Sequence, residues 1–130
     1  MKAYRFRYDI DEARRLIVFR VTGDVPSTVL NDKFVAAYRK IPNSTRYDRL
    51  VDYRRYTGYI EFSDMEDFSR KMAYINREQA VTYRVAIVTS DAFEHARLAT
   101  FQGMFAEEIR AFSSVDDALD WLGSPRRPAA

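Results

Sequence analysis

The chain has no cysteine among its 130 residues, and it has only one histidine, four glycines and four prolines. The absence of cysteine excludes disulfide bonds, thiolate catalysis and thiolate metal sites. Because 47% of the residues are hydrophobic and glycine and proline are scarce, the composition indicates a packed globular chain rather than a disordered one. At this length we expect a single domain that needs neither metal nor disulfide for stability.

Long apolar runs are missing as well. No segment approaches the ~20 apolar residues of a membrane-spanning helix. The segment Met1–Arg7 mixes apolar with charged residues, unlike a signal peptide. We therefore expect a cytoplasmic protein without stable membrane insertion.

An excess of charge of one sign is also absent, since 21 basic residues face 19 acidic ones and the formal net charge is +2. This balance gives no general electrostatic reason to expect nucleic acid or an anionic membrane as a partner. Arginine greatly outnumbers lysine. Coding bias is the simpler explanation. Recognition of phosphate or carboxylate, for which arginine is better suited than lysine, is the alternative.

Two strands are predicted near the start of the chain. Residues 4–8 alternate tyrosine or phenylalanine with arginine, a period of two that is typical of a half-buried strand. Leu16–Val21 is a nearly continuous apolar run and predicts a more buried strand. The polar segment between them, 9–13, is short, so we expect an antiparallel hairpin.

Helices and strands then alternate, because apolar residues recur at helical spacing in four places. Capping residues mark the helix starts: Asp24 or Ser27 for the first, the capping box Ser63–Glu66 for the second, Asp91 with Glu94 for the third, which extends to about Phe105, and Ser114 for the fourth. Three further strands are predicted at Tyr47–Tyr53, Arg84–Thr89 and Glu108–Phe112.

The predicted order β-β-α-β-α-β-α-β-α defines an α/β fold class. Alternation after the hairpin implies right-handed crossovers and a mostly parallel sheet of about five strands, with about four helices packed on it. We expect one domain over residues 1–123 and a disordered tail over residues 124–130.

This order of elements resembles the SpoIIAA-like branch of the STAS domains, the family of the anti-sigma-factor antagonists, from Tyr4 to Leu122. Three motifs carry the resemblance: Leu50-Val51-Asp52 before a variable loop, Arg84–Thr89 running into a polar helix start, and the ending Phe112-Ser113-Ser114 followed by Ala118-Leu119 and Trp121-Leu122. The resemblance implies a small sheet with helices that acts through surface contacts rather than through bond chemistry.

The resemblance also implies a class of partner. In regulatory members a partner kinase phosphorylates a serine or threonine in the loop after the third strand, which blocks binding to the kinase. That loop usually has the sequence Asp-Ser-Ser-Gly. Here the segment is Arg54–Tyr59, which lacks the acidic residue and keeps a hydroxyl before a glycine only at Thr57-Gly58. The implied partner is a protein, such as a kinase or an anti-sigma-like regulator, and Thr57 and Ser63 are candidate phosphorylation sites. Because the fold is also similar to that of lipid-binding domains, a small apolar ligand or lipid is the alternative.

No catalytic or metal site is predicted, and we expect the protein not to be an enzyme. His95 has no cysteine and no recognisable serine nucleophile to activate, so we favour a surface or capping role over that of a general base. The acidic groups 64–67 and 116–120 lie in first helical turns, where carboxylates complement the helix dipole, and a metal site is the less favoured interpretation. No glycine-rich phosphate loop is present, and no cofactor is expected.

The segment Arg46–Phe62 is unusual because it concentrates tyrosine and arginine. These residue types are common in protein-binding hot spots, and they also stack on nucleic-acid bases. The simplest interpretation is a strand with a solvated loop. Contact with a protein or ligand is the main alternative, and nucleic acid is the least favoured. Since ligands bind beyond the carboxyl ends of parallel strands, we expect the loop after the third strand and Ser90-Asp91 to lie on one rim.

The third helix combines Phe101, Met104 and Phe105 with small residues. Core packing accounts for part of this apolar set, and the alternative is that the remainder lines a pocket or a homodimer contact. The candidate partner- or ligand-binding residues are therefore Arg54, Arg55, Tyr56, Thr57, Gly58, Tyr59, Ser63, Asp91, Phe101 and Phe105.

Overall fold

The computed structural model describes residues 3–126, which form one sheet covered by helices. The strands are β1 (Arg5–Asp11), β2 (Leu16–Gly23), β3 (Asp48–Tyr56), β4 (Arg84–Val88) and β5 (Glu108–Phe112). The helices are α1 (Ser27–Lys40), α2 (Phe62–Ile75), α3 (Ala92–Phe101) and α4 (Val115–Leu122). Single 3-10 turns follow α1 and α3, at Ser44–Arg46 and Gln102–Met104.

The sheet has the order β1-β2-β3-β4-β5, in which β1 is antiparallel to β2 and the other neighbours are parallel. The predicted fold class, an α/β domain with an N-terminal hairpin and a mostly parallel sheet, is confirmed. Because the parallel strands follow one another in the same direction across the sheet, right-handed crossovers bring α1, α2 and α3 to one face. The helix after the last strand, α4, packs on the opposite face over β3, β4 and β5.

Two apolar cores result, one on each face of the sheet. The larger core lies under α1 and α2 and centres on Phe19, which is fully buried and has the rings of Phe6, Phe34 and Tyr38 at centroid distances of 4.9 to 5.8 Å. Complete burial of a side chain of this size stabilises a fold by roughly 1.5–3 kcal/mol. The smaller core lies under α4 and includes Trp121.

A predicted helix cap forms only where the side chain bonds to an amide of its own helix. Asp91 accepts a hydrogen bond from the amide of Phe93 at 2.9 Å, and Ser114 accepts one from the amide of Asp117 at 3.1 Å, so both predicted caps are confirmed. The predicted cap of α1 is wrong, since Pro26 occupies the N-cap position and no side chain caps the helix. The Ser27 hydroxyl instead donates to the carboxylate of Asp64 in α2.

The remaining differences concern element ends. The second helix begins at Phe62, with Glu61 at its N-cap and no side-chain cap, so the capping box Ser63–Glu66 does not form. Strand β3 continues to Tyr56, because parallel pairing with β2 extends as far as Gly23. The third helix ends at Phe101 and is followed by the 3-10 turn rather than reaching Phe105.

The first residues of the predicted disordered tail are hydrogen-bonded to the domain. The Arg84 guanidinium donates to the hydroxyl of Ser124 at 2.9 Å, and Arg126 donates to the carbonyl oxygen of Thr82 at 3.2 Å and to the carboxylate of Asp48. Arg84 and Arg126 thus connect residues 124–126 to the domain, and the disorder of the tail stays a prediction. Residues 127–130 of the predicted tail lie outside the described residues.

Replacing Gly23 with alanine should destabilise the fold. Gly23 has a φ of +86°, and an added Cβ would lie 2.6 Å from the carbonyl oxygen of Ala3. Backbone strain of this kind costs about 1–3 kcal/mol, and we expect a loss of that size in the free energy of urea unfolding. Gly103→Ala is the matched control, because no atom lies within 4 Å of the added Cβ. Equal midpoints for the two variants would contradict the prediction.

Candidate functional site

The carboxyl ends of β3 and β4 meet at one edge of the sheet, as expected. The two strands are hydrogen-bonded neighbours and parallel, with Leu50 opposite Ala86 and Asp52 opposite Val88. The chain that leaves β3, residues 57–63, therefore lies beside the first turns of α3, residues 91–97. We call this surface the rim.

Arg97 connects the two parts of the rim, residues 57–63 and residues 91–97. Its guanidinium donates to the carbonyl oxygen of Ile60 at 2.6 Å and forms an ion pair with Glu94 at 3.1 Å. It also lies over the ring of Tyr59, at 4.3 Å from the ring centroid, and over that of Phe101, at 5.1 Å. Only 12% of its side chain is exposed. The sequence analysis missed this residue, although its spacing from Glu94 suits an ion pair on one helix face.

Three large apolar rings are exposed on the rim. The exposed fractions are 54% for Tyr59, 50% for Phe62 and 63% for Phe93. Phe62 packs against Phe101 with a centroid distance of 5.8 Å, and Phe93 lies one helical turn before Arg97. The sequence analysis singled out Tyr59 but missed the exposure of Phe93. Clustered apolar surface of this kind is typical of a binding site.

Tyr56 and Gly58 pack together at the base of the rim. A Cβ at Gly58 would lie 2.7 Å from the Tyr56 ring, so the absence of a side chain lets the loop pass close to that ring. The Tyr56 hydroxyl donates to the carbonyl oxygen of Val25 at 3.3 Å. Burial, assisted by the negative charges of Asp24 and Glu94, raises the pKa of Tyr56 to about 12, so this tyrosine stays neutral at physiological pH.

Both candidate phosphorylation sites belong to exposed residues. Thr57 follows β3 directly, and its amide donates to the carbonyl oxygen of Gly23 at 3.0 Å. Ser63 lies in the first turn of α2. Both residues are exposed.

The predicted residues on α3 have structural roles as well. Asp91 caps the helix, and the Nε2 atom of His95 lies 2.7 Å from the carbonyl oxygen of Thr89, at the end of β4. The ring of His95 therefore links α3 to the end of β4. This contact differs from a free surface position, which was one of the two roles expected from the sequence. Within residues 3–126 no group of three or more potential metal ligands is found.

Phe101 and Phe105 line a small apolar cavity below the rim. Phe101 is buried, and Phe105 is half-buried with its ring 6.1 Å from that of Phe68. The cavity has a volume of about 80 Å³ and lies between the sheet and the helices α1, α2 and α3. A second cavity of about 30 Å³, nearer the rim, shares Tyr53 and Leu98 with the first. The two cavities are therefore neighbours, and most of the residues that line them are apolar.

Arg49 is the cationic group of the larger cavity, and it is almost fully buried. Its guanidinium is held between the rings of Tyr83, at 3.4 Å, and Tyr38, at 4.5 Å, and it donates to the carbonyl oxygen of Ser44 at 3.1 Å. The Nε and Nη1 atoms have no hydrogen-bond partner. Glu107 lines the same cavity, and burial raises the pKa of its carboxyl group. From the sequence Arg49 was noted only as part of the segment Arg46–Phe62 and Glu107 was not noted, because nothing local marks a charge as buried.

Arg54 and Arg55 do not belong to the rim, contrary to the expectation that the loop after the third strand includes them. They lie within β3. Arg54 forms two hydrogen bonds with the carboxylate of Asp52, at 2.8 and 2.9 Å, and this contact lowers the pKa of Asp52. Both arginines line a separate polar concavity beside β1 and β2. The predicted site is therefore divided between two surfaces.

A family model described as SpoIIAA-like matches residues 16–123. The chain belongs to the SpoIIAA-like family. The resemblance proposed from the sequence motifs is thereby confirmed. No curated protein matches the chain.

Two solved structures show the same fold at low sequence identity. An uncharacterised protein of the DUF3478 family from Shewanella loihica, which has a SpoIIAA-like fold, is 16% identical, with a TM-score of 0.58 over 94% of this chain and 95% of that one. An anti-sigma factor antagonist from Mycobacterium paratuberculosis is 12% identical, with a TM-score of 0.60 over 94% of this chain and 96% of that one. In residues 3–126 of this family member, no helix has the length and apolar character to span a membrane.

Replacing Arg97 with methionine should loosen the rim. The variant keeps the length of the side chain but loses the hydrogen bond to Ile60 and the ion pair with Glu94. We expect the amides of residues 59–61 to exchange hydrogen at least ~10-fold faster, since local opening follows the loss of local contacts. Arg70→Met, on the exposed face of α2, is the control. Unchanged exchange in the Arg97 variant would contradict the assigned role.

Proposed function

We propose that this SpoIIAA-like chain is a non-enzymatic regulatory module that binds a protein partner through the rim. The observation that carries the proposal is the set of exposed rings on the rim, Tyr59, Phe62 and Phe93, of which Tyr59 lies against the largely buried Arg97 and Phe62 packs against Phe101. Rings that are fixed before binding lose little conformational entropy when a partner covers them, which favours affinity.

The chemistry of the rim favours a protein over other partners. Tyrosine and arginine are enriched among the residues that dominate protein-protein binding energy. The Mycobacterium paratuberculosis neighbour is named an anti-sigma factor antagonist, and by analogy the partner proposed here is an anti-sigma-like regulator or its kinase. A second copy of this chain is the remaining protein partner to test.

Phosphorylation of Thr57 or Ser63 is the proposed switch. A phosphate adds a charge of about −1.5 to −2 at neutral pH. At Thr57 this charge would stand next to the apolar rings that the partner must cover, so that binding would require its desolvation. At Ser63 the phosphate would lie in the first turn of α2, where the helix dipole favours negative charge.

The rim residues should be required for partner binding. A partner captured from native lysate and identified by mass spectrometry would be titrated against the wild-type chain, Tyr59→Ser and Phe93→Ser. We expect each variant to weaken binding at least ~10-fold, in the range of hot-spot residues. Tyr74→Ser is the matched control, because Tyr74 is 61% exposed but lies at the other end of α2. Thr57→Glu, which mimics the phosphate charge, should also weaken binding.

Three results would overturn the rim proposal. The first is that the wild-type chain captures no partner and forms no dimer in solution. The second is that Tyr59→Ser binds as tightly as the wild type. The third is that Tyr74→Ser loses as much affinity as the rim variants, which would indicate general damage to the surface.

A small apolar ligand is the second candidate function. What favours it is the apolar cavity below the rim, whose lining includes Arg49 with its unpaired Nε and Nη1 donors. A buried donor without a partner costs about 1–3 kcal/mol, and a carboxylate-bearing ligand would satisfy it. Such a ligand would place its aliphatic part toward Phe101 and its head group against Arg49.

Hexanoate should therefore raise the thermal unfolding temperature of the protein, whereas hexan-1-ol, which has the same chain without the charge, should not. The stabilisation follows from binding to the folded state alone. Arg49→Gln should abolish the effect, and Arg46→Gln, which changes an exposed arginine nearby, should preserve it. Equal shifts with the acid and the alcohol, or no shift with either, would count against this second candidate.

A further inference from the structure

One face of the sheet is only partly covered. Helix α4 lies over β3, β4 and β5 and also covers Leu16 and Val18 at the start of β2, so among the described residues the same face of β1 and of the second half of β2 has no helix on it. On β1 this face carries Arg5 and Arg7, since Phe6 and Tyr8 point into the larger core on the other side. On β2 it carries Arg20 and Thr22, because Phe19 and Val21 are buried in that core.

The strand register places these residues in two rows that cross the sheet. One row joins Arg7, Arg20 and Asp52, and the other joins Arg5, Thr22 and Arg55. Arg7 and Arg20 are therefore directly opposite each other on neighbouring strands. Like charges in this position destabilise a sheet. Local features that oppose folding are expected mainly at functional sites.

An extra residue in β3 adds to the concentration of arginine. Arg20 is opposite Asp52, and Thr22 is opposite Arg55, so two steps along β2 match three steps along β3. This irregularity turns Arg55 to the same face as Arg20 and Thr22. β-Bulges commonly re-aim side chains next to binding sites. Without the extra residue, Arg55 would face the opposite side of the sheet.

The positive charge on this face is only partly neutralised by the described residues. Arg20 is paired with Asp9 at 3.0 Å and Arg54 with Asp52 at 2.8 Å. No side-chain hydrogen bond or ion pair joins the guanidinium groups of Arg5, Arg7 or Arg55 to another residue of the segment 3–126. Three unpaired guanidinium groups therefore border a concavity of about 240 Å³, which Arg20 and Arg54 also line. We call it the arginine concavity.

We propose that the arginine concavity binds a terminal phosphate or diphosphate group, a function separate from that of the rim. Guanidinium groups pair with phosphate oxygens through charge-assisted hydrogen bonds of fixed geometry. Strands are about 4.8 Å apart and alternate residues about 6.6 Å apart, so the arginines of β1 and β3 flank a space about 10 Å wide. The oxygens of a tetrahedral phosphate point in several directions, so arginines on different strands can each donate to a different oxygen.

The size of the site argues against a nucleic-acid track. The unpaired guanidinium groups of this face lie on two strands, β1 and β3, and the net charge of the whole chain is only +2. A nucleic-acid surface needs basic residues that follow the phosphate backbone over several nucleotides. The volume of about 240 Å³ instead corresponds to about eight water molecules at ~30 Å³ each, which is enough space for one or two phosphate groups.

Isothermal titration with pyrophosphate tests the proposal directly. We expect saturable binding that exceeds the binding of sulfate at the same ionic strength. The double variant Arg7→Gln/Arg55→Gln removes two of the unpaired guanidinium groups and should weaken pyrophosphate binding at least ~10-fold, since each charge-assisted contact contributes substantially. Arg39→Gln/Arg46→Gln is the control, because it makes the same change in net charge at exposed arginines that do not line the concavity.

Two further variants separate binding from folding. Asp52→Asn removes the carboxylate that competes for Arg54, and it should tighten pyrophosphate binding several-fold. Arg7→Thr removes the like-charge pair with Arg20, so it should weaken pyrophosphate binding while the unfolding temperature of the unliganded protein stays equal or rises. Tyr59→Ser, a rim variant, should leave pyrophosphate binding unchanged.

The origin of the phosphate is distinguished by a parallel measurement with vesicles. The fraction of protein that sediments with vesicles containing phosphatidic acid is compared with the fraction that sediments with pure phosphatidylcholine vesicles. This comparison tests whether the phosphate belongs to a lipid head group. Binding to pyrophosphate in solution identifies a soluble phosphorylated molecule, and binding to phosphatidic acid vesicles alone identifies a head group. The proposal is overturned if neither probe binds, if sulfate binds as tightly as pyrophosphate, or if the control double variant loses as much affinity as Arg7→Gln/Arg55→Gln.

Discussion

The handedness of the strand-helix-strand crossover is the constraint on which the remaining features depend. Three successive right-handed crossovers across a sheet that grows in one direction bring three helices to the same face. Within residues 3–126 the other face has only α4, whose eight residues cover part of the sheet. The rim, the apolar cavity and the arginine concavity all follow from this uneven distribution: the first two lie on the three-helix side and the third on the face that α4 leaves bare.

Strand β3 links these surfaces because its side chains alternate between the two faces. Val51 and Tyr53 point into the larger core and its cavity, whereas Leu50 packs under α4 and Asp52 pairs with Arg54 beside the concavity. The strand then ends at Tyr56 and continues directly into the rim. One strand of nine residues thus supplies groups to all three surfaces, and the extra residue near its end decides which surface receives Arg55.

The sequence predicts those parts of the fold that depend on residues close to one another in the chain. The alternating residues 4–8 and the caps Asp91 and Ser114 act over a few positions, and they were found correctly. Arg55 was assigned to a loop because its orientation depends on the register between β2 and β3, which residues from distant parts of the chain determine. Ser27 was a candidate cap, but its hydroxyl bonds to Asp64, 37 positions away.

Arginine has opposite roles in the candidate sites, and solvent access decides between them. Arg49 and Arg97 are buried or nearly so, and each lies against aromatic rings that replace part of the lost hydration. Arg5, Arg7 and Arg55 remain in water, where an unpaired charge costs little but like charges on neighbouring strands still repel one another. At the buried positions arginine therefore has a structural advantage over lysine, because the planar guanidinium packs between rings. This advantage holds even if coding bias produced the excess of arginine. The exposed arginines Arg5, Arg7 and Arg55 do not pack between rings in this way. Because the domain itself does not use their charge, binding of a ligand is the simplest explanation for their placement on one face.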